Sequence, residues 1–320
     1  MTTDEITYLA FGILVVVALV FDLGLLSKKT ATITMRKALW QTIFWVSLAV
    51  AFMFFVWYEY GQSIAIEYLS AYLTEWSLSI DNIFVFILIF SFFGIREAFY
   101  ARVLLIGILM AIVFRVIFIT IGIALVERFG WLLYIFGAIL VITGVKMFTA
   151  KQSEEVNLSE NKIYNFLKRF LPLVHDDGGG KYTVVRDGKK YYTALFVVVV
   201  MLATTDIVFA LDSIPAVFGI STHRVVIYTS NIFAVLGLRS LFFLLRGAVG
   251  KFAYLQQGIA IVLVFIGLKM LVEIFDIHVP VFISLLVILV CLVSSIVYSM
   301  SVSGRAADKE LENKGDVDLH

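Results

Sequence analysis

Charge is scarce in this chain: 15% of its residues are Asp, Glu, Lys or Arg, against 61% that are apolar. A water-soluble protein of 320 residues cannot cover its core with so little polar surface. Proline is rarer still, with three in all, so long stretches are free of helix breakers. A single cysteine, Cys291, excludes an intramolecular disulfide and a Cys-based metal cluster. A His-Glu-x-x-His zinc motif, a Gly-x-Ser-x-Gly elbow and a Walker lysine are all missing. Hydrolysis and ATP-driven pumping are therefore unsupported, and neither enzyme activity, a resident cofactor nor a nucleic-acid partner is expected.

What is present is apolar sequence, with a mean hydropathy of +0.99. Apolar runs at about 7–26, 38–58, 67–93, 101–125, 130–149, 192–219, 224–248, 252–274 and 279–300 each approach or exceed the roughly 20 residues that a helix needs to cross about 30 Å of hydrocarbon. The alternation of barrel strands is missing, so the expected fold class is all-α, a polytopic transmembrane helical bundle. Nine spans are expected; seven or eight follow if the first or last run stands apart from the bundle. The first run lacks a basic leader and a small-residue cleavage site, so it reads as a retained helix.

Lysine and arginine set the expected orientation. Lys28, Lys29, Arg36, Lys37, Arg96, Arg102, Arg246 and Lys251 fall in loops on one side, together with the basic residues of 150–191 and of the tail. Glu59, Glu67, Glu127, Glu273 and Asp276 fall on the other, with Arg128 and Arg224. Nine helices with the N-terminus outside and the C-terminus in the cytoplasm satisfy every loop.

The organisation expected is N-terminal helices over 1–66, a first repeat over 67–149, a cytoplasmic loop over 150–191, a second repeat over 192–274, a final helix over 275–300 and a tail over 301–320. The loop carries a short amphipathic helix with Ile163, Phe166, Leu167 and Phe170 on one face, then a flexible Gly178–Gly180 turn that lacks the context of a phosphate loop.

The repeat rests on four matches in the same order. Glu75 and Asp81 are six residues apart, as are Asp206 and Asp212, and the second acid of each pair precedes Asn82 or Ser213. Arg115 ends Ile-Val-Phe-Arg and Arg239 ends Leu-Gly-Leu-Arg, while Lys146 and Lys269 sit in Gly-Val-Lys-Met and Gly-Leu-Lys-Met. Two adjacent units of three helices each are inserted with opposite orientation, the inverted repeat of many secondary transporters.

Charged groups inside apolar runs are costly, and they usually serve an ion, a proton path or a buried ion pair. In a regular helix a six-residue step turns about 600°, so the two acids of a pair do not share a face. Either they serve two surfaces or each helix breaks between them, an option that Pro215 favours in the second unit. Glu75, Asp81, Asp206 and Asp212, with Asn82, Ser213 and Asn231, make an oxygen-rich set suited to a hard divalent cation such as Mn²⁺, Ca²⁺ or Mg²⁺. Alternatively, Arg115 and Arg239 each offset one carboxylate. Asp22 reads as interfacial, His223 and His278 as loop residues, and Trp76 and Trp131 as interfacial anchors.

The segments Ser77-Leu-Ser-Ile-Asp-Asn-Ile-Phe-Val-Phe, Asp206-Ile-Val-Phe-Ala-Leu-Asp-Ser-Ile-Pro-Ala-Val-Phe, Ser230-Asn-Ile-Phe-Ala-Val-Leu-Gly-Leu-Arg-Ser and Gly267-Leu-Lys-Met resemble the TerC family of integral membrane proteins, particularly its Alx-like branch. The resemblance runs from about residue 5 to about residue 300. It implies a role in metal-ion homeostasis, including manganese export, and historically tellurium resistance, with the family's acidic residues at Glu75, Asp81, Asp206 and Asp212. An acidic pocket repels a tellurium oxyanion, so a divalent cation is the expected substrate, exported by alternating access and exchanged for protons. The alternative is a membrane scaffold, in contact with lipid, that binds a protein partner at 150–191 and supports metalation of exported proteins or stress resistance.

Overall fold

The computed structural model describes residues 3–26, 33–149, 162–174, 176–186, 188–246, 254–275, 277 and 279–317. Helices dominate: α1 (Thr3–Leu26), α2 (Met35–Tyr60), α3 (Gln62–Phe92), α4 (Glu97–Arg128), α5 (Leu132–Thr149), α6 (Lys162–Phe170), α7 (Ala194–Phe218), α8 (Arg224–Leu245), α9 (Leu255–Val272) and α10 (Val281–Val317). The chain is an α-helical membrane protein. Among the described residues eight helices, α2–α5 and α7–α10, have the length and hydropathy to cross a bilayer. The first of the nine expected spans is the helix α1, docked on the bundle through Phe11, whose ring lies 5.4 Å from Phe52 and 5.2 Å from Phe233.

Local chemistry ends the helices where the apolar runs end. Thr34 caps α2 by accepting from the Lys37 N–H, and Gly61 alone separates α2 from α3. Gly61 has φ +86°, a left-handed turn that glycine adopts without a steric cost, and its N–H closes on the Trp57 carbonyl at 3.0 Å. The expected breaks between paired acids are not found, because α3 and α7 are continuous. Pro215 lies in the last turn of α7, where the loss of one backbone donor is easily absorbed, and its carbonyl accepts from the Gly219 N–H. The two acid positions of each pair therefore lie about 120° apart around their helix.

α8 is the axle of the bundle. All of its residues except Arg224, Tyr228 and Leu244 are buried, and α2, α3 and α4 pack around it. The outer helices instead expose large apolar side chains, among them Ile142, Val145 and Phe148 on α5 and Val290, Val293 and Val297 on α10. Such a surface is stable only against lipid.

The packing of α3–α5 on α7–α9 is reciprocal, with α3 on α8, α4 on α7 and α5 on α9. A Cβ on Gly144 would meet the Ala260 carbonyl at 2.7 Å and Val264 Cγ2 at 2.7 Å; one on Gly267 would meet the Gly137 carbonyl at 2.6 Å and Val141 Cγ2 at 2.9 Å. Gly144 and Gly267 hold the same place in the two Gly-x-Lys-Met motifs, so each contact is the other with the partners exchanged. The pairing runs antiparallel, and the small residues let two backbones touch. Lys146 is exposed whereas Lys269 is 7% exposed, so the second lysine is buried rather than extended to a surface. Trp76 is packed into the core near the middle of α3, not at an interface, whereas Trp131 is exposed at the α4–α5 turn.

Two short strands, β1 (Thr183–Arg186) and β2 (Lys189–Tyr192), form an antiparallel hairpin that follows α6. The Gly178–Gly180 turn is docked, not loose. All three glycines have positive φ, Asp176 accepts from the Gly178 N–H at 2.8 Å, Arg96 pairs with Asp177 through two nitrogens, and Arg102 donates to the Gly180 carbonyl at 3.0 Å.

Two outcomes are expected. Gly267→Ala forces the Gly137 carbonyl away and should destabilise the protein by ~1–3 kcal/mol in detergent thermal unfolding, whereas Gly12→Ala, with open space around it, should not. The Gly178 N–H holds the Asp176 carboxyl below its usual range, and the Arg96 guanidinium does the same for Asp177. A depressed carboxylate stabilises above its unfolded pKa of about 3.9 and loses that contribution as pH falls through the folded value. Hydrogen exchange at 178–182 should therefore accelerate below about pH 4, beyond the intrinsic change.

Candidate functional site

Arg115 carries a charge into the centre of the bundle, and four helices close on it. From α4 its Nη1 donates to Glu75 Oε2 on α3 at 2.6 Å and to Asn231 Oδ1 on α8 at 3.1 Å. Its Nε and Nη2 grip the two oxygens of Asp206 on α7 at 3.1 and 3.2 Å, the bidentate fork that suits a guanidinium. Asn231 is oriented in turn by donating to the Ile227 carbonyl at 3.0 Å. The relative exposures are 1% for Arg115, 0% for Glu75, 1% for Asp206 and 0% for Asn231. At such burial the ion pairs are screened little, and each partner left alone would be strongly destabilising.

One guanidinium faces two carboxylates, so with both ionised the centre keeps a charge of −1. Hydrogen bonding is also incomplete. Among the described residues Glu75 Oε1 has no partner, and neither do the buried hydroxyls of Ser79, one turn along α3, of Ser230, beside Asn231, and of Ser213, two turns along α7 from Asp206. Buried polar atoms are rarely left so, and a run of them beside a charge marks a place for water, a proton or an ion.

The expected site residues divide on this geometry. Glu75, Asp206 and Asn231 come together, held by Arg115, which serves two acids rather than one. Asn82 and Ser213 are buried at 3% and 2% exposure on the same two helices, and Arg239 is buried on α8, two turns beyond Asn231. The side chains of Asp81, Asp212 and Asp22, and the residue His278, lie outside the described residues. Among the described residues no three of His, Cys, Asp and Glu gather into a metal-holding cluster.

Towards one end of the bundle the centre is walled off. The space beside Asp206, bounded by Phe86, Leu104, Ile108, Leu202 and Leu238, is too narrow for a water molecule. Towards the other end a polar cleft of ≈ 480 Å³ opens between α1, α4 and α8, lined by Asp4, Glu5, Tyr8, Glu127, Arg224 and Tyr228. Arg224 bridges to Glu127 at 2.5 Å, and the Tyr228 hydroxyl meets that of Thr120 at 2.8 Å. Tyr228 precedes Asn231 by three residues, so this hydroxyl pair sits about one helical turn from the centre. Sequence reading left Thr120, Glu127 and Tyr228 without a role, although the spacing of Tyr228 from Asn231 puts both on one stripe of α8.

A continuous helical bundle with reciprocal halves, apolar outer faces and a buried charge centre defines an α-helical integral membrane protein. Residues 60–307 match the family described as "Integral membrane protein TerC family", and the chain belongs to that family. It is 42% identical over 298 residues to an uncharacterized membrane protein of Myxococcus xanthus, covering 93% of each chain. It is also 39% identical over 310 residues to a Salmonella typhi protein provisionally named membrane-bound redox modulator Alx, covering 94% of this chain and 95% of the relative. The relative of that name from Escherichia coli strain K12 is 38% identical over 304 residues, covering 92% and 94%. No solved structure matches the chain.

Arg115→Met should lower stability by ~3–5 kcal/mol, because it strands two buried acids. Adding Glu75→Gln and Asp206→Asn removes both stranded charges, and thermal unfolding of the triple variant should recover most of the loss.

Proposed function

We propose that the protein is a secondary transporter, not an enzyme, that exports a divalent cation from the cytoplasm in exchange for protons, with Mn²⁺ the first choice and Ca²⁺ the open alternative. The observation that carries this reading is the charge balance of the centre: two acids share one arginine, and Glu75 Oε1 lacks a donor among the described residues. A carboxylate in that position is costly unless a proton or a cation visits it. The all-oxygen donor set suits Mn²⁺ or Ca²⁺ better than Cu⁺ or Zn²⁺.

In this reading Arg115 is the tethered cation of the closed centre. An arriving dication repels the guanidinium and competes for both carboxylates; protons then neutralise the acids and release the metal. The expected ligands Asp81, Asn82, Asp212 and Ser213 complete the proposed cation site, and Arg239 balances its charge. The cleft between α1, α4 and α8 is the outer vestibule, with the Thr120–Tyr228 pair as its floor, and the wall around Phe86 and Leu238 parts on the cytoplasmic side. The reciprocal packing and the exchanged glycine contacts support an inverted repeat, whose rocking exposes the centre to each side in turn. The clustering of Asp4, Glu127 and Arg224 at one end, and of Arg96, Arg102 and Arg246 at the other, supports an inner-membrane orientation with the N-terminus outside.

The redox name of some relatives needs no thiol chemistry in this chain, since Cys291 has no partner cysteine and the cargo proposed is a redox-active metal. A second reading, a scaffold that supports metalation or tellurium and stress resistance through a protein partner, is favoured by the docked loop tied to Arg96 and Arg102.

Proteoliposomes test the two readings. Under an imposed pH gradient the intact protein should move Mn²⁺, and folded Glu75→Gln and Asp206→Asn variants should fall to the level of empty liposomes. Flux indifferent to the gradient removes the proton coupling, whereas no flux from any folded version removes the transporter reading and leaves the scaffold.

A further inference from the structure

α6 lies where the span of α3 ends, and it is packed on one face only. Tyr164 sets its ring edge-on to Phe92 at 6.1 Å and Phe93 at 5.3 Å, and Leu167 is buried. Phe166 and Phe170 are 59% and 63% exposed, one turn apart, with ring centroids at 4.6 Å. Two adjacent exposed aromatics on a nine-residue helix are costly in water. Arg169 lies over the Phe170 ring at 5.9 Å, and the neighbouring Lys168 is exposed. Neither cation has a carboxylate partner among the described residues.

Between α6, the end of α3 and the start of α7 runs a groove of ≈ 320 Å³, lined mainly by apolar groups that include Phe92, Phe93, Tyr164, Leu173 and Val197. An exposed aromatic pair, two cations without a carboxylate partner among the described residues and an apolar groove thus lie at the end of α3, where an apolar span gives way to polar sequence.

We propose that α6 and this groove form a binding site for an anionic phospholipid. Phe166 and Phe170 enter the boundary between headgroups and acyl chains, an acyl chain lies in the groove, and Arg169 and Lys168 hold the headgroup phosphate. Charge decides the class of lipid, because two cations without a carboxylate partner among the described residues gain nothing specific from a zwitterionic headgroup. Position decides against a protein occupant, because the membrane surface reaches this face first. The site stands apart from the charge centre and is independent of the cargo.

Native mass spectrometry of the full-length protein, equilibrated with equimolar phosphatidylglycerol and phosphatidylcholine of the same acyl chains, provides the test. The intact protein should retain phosphatidylglycerol preferentially. Lys168→Gln with Arg169→Gln should reduce that preference by about fivefold for each cation removed, without changing the melting temperature. Phe166→Ser with Phe170→Ser should reduce retention of both lipids. Equal retention of the two lipids by the intact protein, or an unchanged preference in the charge variant, overturns the proposal and leaves the face to a protein partner. Displacement of the lipid by inorganic phosphate alone also overturns it, since the site would then be one for a free anion.

Discussion

A single guanidinium holds the middle of this molecule together. Arg115 is out of reach of water, so its charge is tolerable only because Glu75, Asp206 and Asn231 arrive from three other helices within hydrogen-bonding distance. The dependence runs both ways, since neither acid could sit inside the apolar bundle without the arginine. α3, α4, α7 and α8 are thereby fixed at one level, and the glycine contacts of α5 on α9 supply a second, uncharged clamp to one side. The two clamps differ in kind. Close backbone packing is insensitive to protons and ions, whereas the charge centre responds to both, so only the centre offers a means of changing the arrangement.

That response has a direction built into the surroundings. On one side Phe86, Leu104, Ile108, Leu202 and Leu238 leave no room for water beside Asp206. On the other lies the cleft between α1, α4 and α8, whose lining includes Tyr228, three residues before Asn231 on α8. The cleft thus lies on one side of the centre and the apolar packing beside Asp206 on the other. Within the cleft Arg224 is tied to Glu127, beside Asp4 and Glu5.

Most of the fold was legible because membrane helices obey one rule, about twenty apolar residues between polar ends. The paired acids, the arginines and the two Gly-x-Lys-Met motifs were visible for the same reason, as polar exceptions in apolar runs. What could not be read is three-dimensional. Sequence offered Arg115 as the counter-ion of one acid, because nothing in a helical period reveals that its side chain reaches three other helices. Pro215 suggested a break, yet its distance from the end of α7 decides that it merely closes the helix. The hairpin at Thr183–Tyr192 was missed although Asp187-Gly188 between two β-branched or aromatic runs is a strong turn signal. In a chain so rich in membrane spans a four-residue strand is easily read as loop.

The burial of α8 bears on how the chain enters the membrane. A span is normally stable in lipid by itself and finds its neighbours later, but α8 carries Thr229, Ser230, Asn231, Arg239 and Ser240 on surfaces that are all covered by protein. Released alone into hydrocarbon, such a helix would be a poor candidate for insertion. In the order of synthesis α2, α3 and α4 precede it, and they are the helices that surround it. They form a prepared, partly polar berth before α8 leaves the ribosome, so the chain's own sequence of synthesis supplies the solvent that this almost fully covered span requires.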